Sequence, residues 1–493
     1  MHKKLLFGSC ISAQNVIEYN VHWIIYVLVC VKKVKGVLKL KKYDVVIVGG
    51  GIGGLMTAYS IHENNKDASV CILDRGNVIE KRTCPIIAGK AQKCVSCKSC
   101  GIMQGMGGCG AYSDGKFIIS TEYGGWLPMY LGDEKTIEYI EKLDKILIAH
   151  GATEKVYLPS DRIKLECLKY DMRLLQAKVK HLGTDGNFKT MQRLIEELGT
   201  YTDIHTNVDV TDIDTDKKTL ITSDGEYNYG KLVVAVGRVG SGWFEKLCRE
   251  KGIPVENNQV DIGVRVELPR LVWQDISREI YEPKVLYRTK KYGDVCRMFC
   301  FNDGGEVVME NSGGIMTVNG HANSDESKKT KNSNFALLST VNFTQPFNEP
   351  IAYAKHIAHL SNMVSGGGVI VQKFGDLIGG KRTNERRMEK STVIPTLKAV
   401  PGDLSLCIPK RQLDNIIETL YAINNIAPGT ANYDTLLYGV EAKYYSVRPK
   451  FINSDFEIAD GIYAIGDGSG VTRGLSQAGA MGLYVGEKLC RKK

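Results

Sequence analysis

Residues 43–74 constrain this chain more than any other stretch. They run Tyr43-Asp44-Val45-Val46-Ile47-Val48, then Gly49-Gly50-Gly51-Ile52-Gly53-Gly54, then a mixed run from Leu55 to His62, then Val70-Cys71-Ile72-Leu73-Asp74. The β-branched apolar run predicts a buried parallel strand, the glycines a tight turn, and the residues after them a helix. Gly49, Gly51 and Gly54, with Gly53 in the same turn, fit the spacing G-x-G-x-x-G. The first glycine permits the turn, the second lets a pyrophosphate approach the backbone, and the third lets helix pack closely on strand. Phosphates there would meet unpaired N–H groups and the positive end of the helix dipole. Asp74 closes the second strand about 20 residues further on, where a carboxylate can accept from a ribose diol. Together these elements predict a dinucleotide site on an α/β fold.

A chain of 493 residues is long enough for two or three domains. Hydrophobic content of 43% and charge of 24% are those of an ordinary globular protein. The net charge of +9 invites a nucleic-acid reading, but residues 1–42 hold eight Lys and one Glu, which leaves +2 for the rest. A body so close to neutral offers no basic surface, so no nucleic-acid partner is expected. Fourteen cysteines in this length do not make a secreted disulfide scaffold, and with a nucleotide fold they point to a reducing cytoplasm. Val21–Val31 is an apolar run too short to cross a bilayer, which takes about 20 residues, so no stable membrane insertion is expected. Residues 1–42 read either as an arm that touches a membrane or partner, or as a poorly ordered leader. The second is preferred, because the fold begins at Tyr43.

After the first strand–helix–strand unit comes Cys84-Pro85, then Cys94-Val-Ser-Cys97-Lys-Ser-Cys100, then Gly107-Gly108-Cys109-Gly110. Three thiols at C-x2-C-x2-C spacing can wrap three corners of a [4Fe-4S] cluster. The bacterial ferredoxin run would continue to a fourth cysteine at 104, where this chain has Gln104. A fourth ligand would then be Cys84 or Cys109. Zinc accepts the same thiolates, and plain reduced thiols are the third reading. Gly108 and Gly110 leave backbone bare where a flat ring or a pyrophosphate would lie against it.

Asp203–Ile213 and Thr219–Thr222 read as strands of a small hairpin region. Lys231–Val236 is another buried strand, which ends at Gly237-Arg238 and returns to the same parallel sheet. Its glycines miss the fingerprint spacing, so one dinucleotide site is expected and no separate NAD(P)H domain. From Val260 the pattern turns to short alternating strands, with helices at Pro350–Val364 and Pro409–Asn425, as in an inserted α+β domain. His321 follows a glycine and reads as a turn residue, with proton donation as the minor reading. Near the end, Tyr463-Ala464-Ile465-Gly466-Asp467 is a strand ending in an acid, and Gly470-Val471-Thr472-Arg473-Gly474 opens a helix. An acid at such a strand end can hold sugar or ribityl hydroxyls. A helix N-terminus behind it favours negative charge. The pairing suits FAD, whose two ends need separate anchors.

The order of these segments resembles a glutathione-reductase-type FAD fold. More closely, Cys94–Cys100, Ser113-Asp114-Gly115-Lys116, Asp261–Glu267, Val318–His321, Gly402-Asp403-Leu404-Ser405 and Gly466–Gly474 resemble the FAD-dependent dehydrogenases that carry an FAD-dependent protein C-terminal domain. The resemblance implies that Gly49, Gly51, Gly54 and Asp74 hold the ADP half, with Val208 by the adenine. It implies Asp467 by the ribityl chain and Gly470, Thr472 and Gly474 near the isoalloxazine. Family members tend to have Ala in place of Cys109, which favours Cys84 beside Cys94, Cys97 and Cys100 as the metal set.

The expected architecture is therefore α/β: an N-terminal extension (1–42), a discontinuous Rossmann-type FAD-binding domain (43–267 and 446–493), and an inserted substrate or cap domain (268–445). The expected activity is oxidoreduction of a small-molecule substrate by hydride transfer at flavin N5, with NAD(P)H or a ferredoxin-like protein as electron partner. A flavin-dependent RNA modifier and a non-catalytic thiol sensor are the alternatives.

Overall fold

The computed structural model describes residues 41–491, apart from 92–94, 96, 313, 324, 344, 345 and 348. The extension read at 1–42 lies outside the described residues except for Lys41 and Lys42, which open the first strand.

Strand β1 is Lys41–Val48, helix α1 Ile52–Asn64 and strand β2 Val70–Asp74. β1 pairs in parallel with β2 on one side and with Gly225–Val234 on the other. Ile462–Ala464 extends the same sheet in parallel, and Asp203–Thr206 pairs in parallel with β2 at the far edge. Parallel strands buried on both faces must be apolar throughout, and β1 alternates between two cores. Val45 and Ile47 face α1 and the C-terminal helix Leu475–Cys490, while Val46 and Val48 face Phe244 and Leu247 on the other side. Burying each such aliphatic side chain contributes about 1.5–3 kcal/mol. Only Val210–Asp214 and Thr219–Thr222 form the hairpin expected from the sequence. Asp203–Thr206 leaves it for the main sheet, because Ile204 stands in register beside Ile72 on an otherwise open edge.

The C-terminal helix packs along α1. A Cβ on Gly482 would stand 2.2 Å from the Gly53 carbonyl oxygen, so the backbones touch. Ser60 Oγ donates to the Leu483 carbonyl at 2.8 Å. The last helix thus locks the first one to the sheet.

A second, mainly antiparallel sheet has the order Val400–Pro401, Ile370–Lys373, Leu436–Tyr444, Val260–Pro269, Asn332–Val341, Val295–Asn302, Lys284–Arg288, Met172–Leu175. It reaches outside residues 268–445 at two places, Val260–Pro269 and Met172–Leu175. Its core holds Trp273, Phe301 and Phe335, covered by helices Pro350–Val364 and Lys410–Asn424. His321 ends strand Ile315–His321, paired with Glu306 and exposed, so it is a strand residue and not a turn residue. Alternating Thr317, Asn319 and His321 hid that strand, because its apolar positions are few. Among the described residues no helix is long and apolar enough to cross a membrane.

Candidate functional site

The glycine turn is built by close approaches. Gly49 has φ +112°, and a Cβ there would come within 2.4 Å of the Ala235 carbonyl oxygen. A Cβ on Gly54 would stand 2.1 Å from the Gly49 carbonyl oxygen. These glycines bring the start of α1 down onto the strand ends. α1 begins after Gly51 with no side-chain cap, so its first N–H groups have no partner within the helix. Gly53 does not face that opening; it lies against Ala478 of the C-terminal helix.

Asp74 is buried, at 8% exposure, and both oxygens already work. Oδ2 accepts from the Gly50 N–H at 2.8 Å and Oδ1 from the Gly76 N–H at 2.8 Å. The carboxylate therefore braces the turn, and each oxygen keeps a lone-pair direction for a hydroxyl. Val208 lies beside it, buried, its N–H donating to the Asp74 carbonyl at 2.9 Å.

One strip of chain, residues 105–127, ties this turn to the C-terminal return. At its start the Gly107 N–H donates to the Gly50 carbonyl at 2.8 Å, and a Cβ on Gly108 would stand 3.0 Å from Gly51 Cα. Further along, Gly110 lies under Leu475, where a Cβ would stand only 2.3 Å from Leu475 Cδ2. Its carbonyl accepts from Asn187 Nδ2 at 2.6 Å. At the end the Ile118 N–H donates to Ser476 Oγ (2.8 Å), the Trp126 N–H to the Val471 carbonyl (2.7 Å), and the Arg473 N–H to the Gly124 carbonyl (2.8 Å).

Arg82 fastens the first part of the strip. Its guanidinium donates to the carbonyls of Gly101, Met106, Gly108 and Ile102 at 2.7–3.0 Å, and it is 4% exposed. No carboxylate pairs with it within 4 Å among the described residues, so backbone dipoles and the face of the Tyr112 ring, 4.7 Å away, carry its charge.

At the C-terminal return, Asp467 Oδ1 accepts from Thr472 Oγ1 at 2.7 Å, and Arg238 Nε stands 3.8 Å from Oδ2. Burial pushes the Asp467 carboxyl above its ordinary value, against the pull of Arg238. Arg238 is half-exposed, and the neighbouring Cys109, Asp467 and Glu310 raise its guanidinium further above its ordinary value. Gly237 touches Gly468, whose Cβ would stand 2.9 Å from the Gly237 oxygen. Gly470 is pressed against the Ser446 carbonyl, whereas a Cβ on Gly466 or Gly474 would meet no atom within 4 Å. Gly474 starts the C-terminal helix, again without a side-chain cap.

Between the two sheets, Lys116 Nζ lies 3.2 Å from Asp114 Oδ2 and 4.0 Å from Glu282 Oε2, and it donates to the Phe301 carbonyl at 3.1 Å. Lys284 Nζ adds a second cation 3.5 Å from Glu282 and 3.9 Å from the Tyr123 ring centroid. His181 stacks on Tyr281 at 4.7 Å, and its buried Nε2 has no partner. The Asp114-Gly115-Lys116 motif thus sits in a charge-balanced cluster joining the two sheets.

The metal set is not assembled by the described residues. Cys84 and Cys100 are half-buried and Cys97 is exposed, while Cys94 lies outside the described residues. Among the described residues no three His, Cys, Asp or Glu side chains are grouped to hold a metal ion. Gln104, where the ferredoxin run has cysteine, accepts the Cys100 N–H through Oε1 at 3.0 Å. Cys84, Cys97 and Cys100 are therefore not gathered into a metal-binding group among the described residues.

Sequence reasoning reaches the glycines, Asp74 and Asp467 through their spacing. It misses Arg82, Arg238 and Arg473, because a single arginine carries no spacing signal.

Fold and turn geometry define a class, a Rossmann-type dinucleotide-binding fold. Residues 259–444 match the family described as FAD-dependent protein, C-terminal domain-like, which bears out the resemblance read from the sequence. No curated protein matches the sequence. Among solved structures, the chain is similar to Escherichia coli quinol fumarate reductase FrdA, with 12% identity over 92% of this chain and 70% of that one, at a TM-score of 0.42. It is also similar to L-proline dehydrogenase from P. horikoshii, with 12% identity over 91% and 93% at a TM-score of 0.39. Glycine oxidase from Geobacillus kaustophilus gives 12% identity over 92% and 96% at 0.38. Likeness at this level says nothing of substrate.

Proposed function

We propose that this chain binds FAD between the glycine turn at 49–54 and the return at 466–474, and that it is a dehydrogenase for a small-molecule substrate. The observation that supports this reading best is the strip 105–127, which touches both anchors, Gly108 against Gly51 and Gly110 under Leu475. A long two-ended cofactor needs its anchors tied together in this way, and the open space at Gly466 and Gly474 leaves room at the far end. In this reading the uncapped N–H groups of α1 bind the pyrophosphate, Asp74 takes ribose hydroxyls, and Val208 lines the adenine. Asp467, held by Thr472, takes the ribityl hydroxyls, and the start of the C-terminal helix favours negative charge beside it. Bound there, the flavin would supply a hydride donor and acceptor at N5.

The eleven described cysteines form no disulfide, which supports a reducing compartment such as the cytoplasm. NAD(P)H or a ferredoxin-like protein is the proposed electron partner.

The test is an anaerobic ultraviolet–visible spectrum of freshly purified protein, with iron and zinc assayed on the same sample. Flavin bands with no metal are the expected result. Flavin bands with about four irons per chain would instead install a relay at Cys84, Cys94, Cys97 and Cys100. No flavin, even after incubation with FAD, would sink the reading.

A further inference from the structure

Arg473 is the one arginine of the C-terminal loop, and its side chain is wedged between two perpendicular rings. Its guanidinium carbon lies 3.6 Å from the Trp126 ring centroid and 3.4 Å from that of Tyr445. The two rings meet edge to face, 6.0 Å apart at 89°. Contact with both rings fixes the guanidinium in place and leaves its edge as the polar feature.

That edge has no partner. Nε and Nη2 are both buried and neither makes a hydrogen bond. Arg473 also forms no ion pair within 4 Å among the described residues. Nε and Nη2 share one side of the guanidinium and aim two parallel N–H groups outward. That is the fork that matches the two oxygens of a carboxylate. Leaving such a fork buried and unmet costs about 1–3 kcal/mol per group, so it is an unusual thing to find unless a ligand takes it up.

The nearby acid does not fill the role. Asp261 is fully buried, and its oxygens are taken by Thr340 Oγ1 at 2.7 Å and Tyr445 Oη at 2.6 Å. Arg297 Nη1 lies 3.9 Å from the same carboxylate, and Arg297 Nε is a further buried donor without a partner. Arg297 and Arg473 both act on the Asp261 carboxylate, whose oxygens are already hydrogen-bonded, and Asp467 adds a second, more distant acid to Arg473. Space exists beside it, because Gly474 faces no atom within 4 Å of a Cβ position.

The geometry points to a carboxylate-binding subsite at the Nε–Nη2 edge of Arg473, assisted by Arg297, that anchors a substrate bearing a carboxylate next to the return loop. The statement about substrate rests on the FAD reading above; the statement about the carboxylate does not. Arg473 is a binding residue here, and the ligand class is a small organic monocarboxylate.

The experiment titrates the full-length protein with sodium benzoate and sodium acetate at constant ionic strength, with benzamide and acetamide as uncharged matches. Two signals are followed together: tryptophan fluorescence, to which Trp126 reports through its contact with Arg473, and the visible flavin bands. The expected result is a saturable response to at least one carboxylate and none to its amide. Arg473→Gln weakens that response about 10- to 100-fold, the loss expected for a charge-assisted pair of hydrogen bonds. Arg473→Lys restores part of it, since the charge returns without the fork. Arg297→Gln, further from the edge, weakens it less and keeps the test alive should Arg473→Gln not fold. No saturable response to either carboxylate, or equal responses to carboxylate and amide, overturns the subsite. So does an Arg473→Gln protein that binds as the wild type does. If the wild type ignores carboxylates and Arg473→Gln releases FAD, the edge serves the flavin and the subsite is again overturned. If the protein carries no flavin, the dehydrogenase reading fails, while the fluorescence titration of the same chain still judges the subsite.

Discussion

At the scale of single residues, two ionisable groups show how burial sets chemistry. His181 is kept neutral, with burial pushing its ring down to about 4 against the pull of Asp114. The sign follows from which state takes up the proton. Below about 6.5 the unfolded chain is protonated at this histidine while the folded one is not, so stability falls with pH until about 4. The loss is at most about 3 kcal/mol. Urea unfolding at a series of pH values should show it in the wild type, and His181→Gln should flatten that part of the curve. Asp74 is the other case. Its place at the end of β2 is legible from the sequence, but its bonds to the Gly50 and Gly76 N–H groups are not. Those bonds exist because the turn folds back over the strand end, a contact no local pattern encodes.

Elements are joined by backbone contacts that tolerate no added atom. Gly54→Ala would place a methyl 2.1 Å from the Gly49 carbonyl oxygen, and backbone cannot step aside as a side chain can. The expected cost is about 2–3 kcal/mol, together with loss of retained FAD. Gly242→Ala is the control, since a Cβ there meets nothing within 4 Å, and it should be neutral. Thermal melts and the flavin content of the two proteins separate the outcomes. Arg82 joins elements differently, as a peg through the carbonyls of residues 101–108. Arg82→Met keeps the apolar stem and removes the donors, leaving buried carbonyls unpaired at a cost of at least about 2 kcal/mol. Faster amide exchange in residues 101–108, with little change in the second sheet, is the expected signature. Uniform exchange across the chain would show that Arg82 serves general stability instead.

At the scale of the whole molecule, the proposed cofactor would span two anchors far apart in sequence, at 49–74 and 466–474. A ligand that binds only the folded chain stabilises it by mass action. FAD at 100 times its dissociation constant should therefore add about 2.7 kcal/mol to the unfolding free energy, measured as a shift in urea midpoint. A protein whose midpoint is unmoved by FAD does not bind it in the folded state.

What the sequence by itself determined is whatever depends on neighbours in the chain. The run from β1 through α1 to β2 is legible, because strand, turn and helix each have a short-range pattern, and the Gly466-Asp467 return is legible for the same reason. The helices Pro350–Val364 and Lys410–Asn424 are legible too, through their periodic apolar faces. Only the tertiary structure decided that Asp203–Thr206 joins the main sheet, that Met172–Leu175 crosses to the second, and that Arg82 and Arg473 meet carbonyls and rings from distant segments. Those contacts are chosen by which buried surfaces and polar groups remain unmatched once the chain has collapsed. That is a property of the assembled core, and no single stretch of residues contains it.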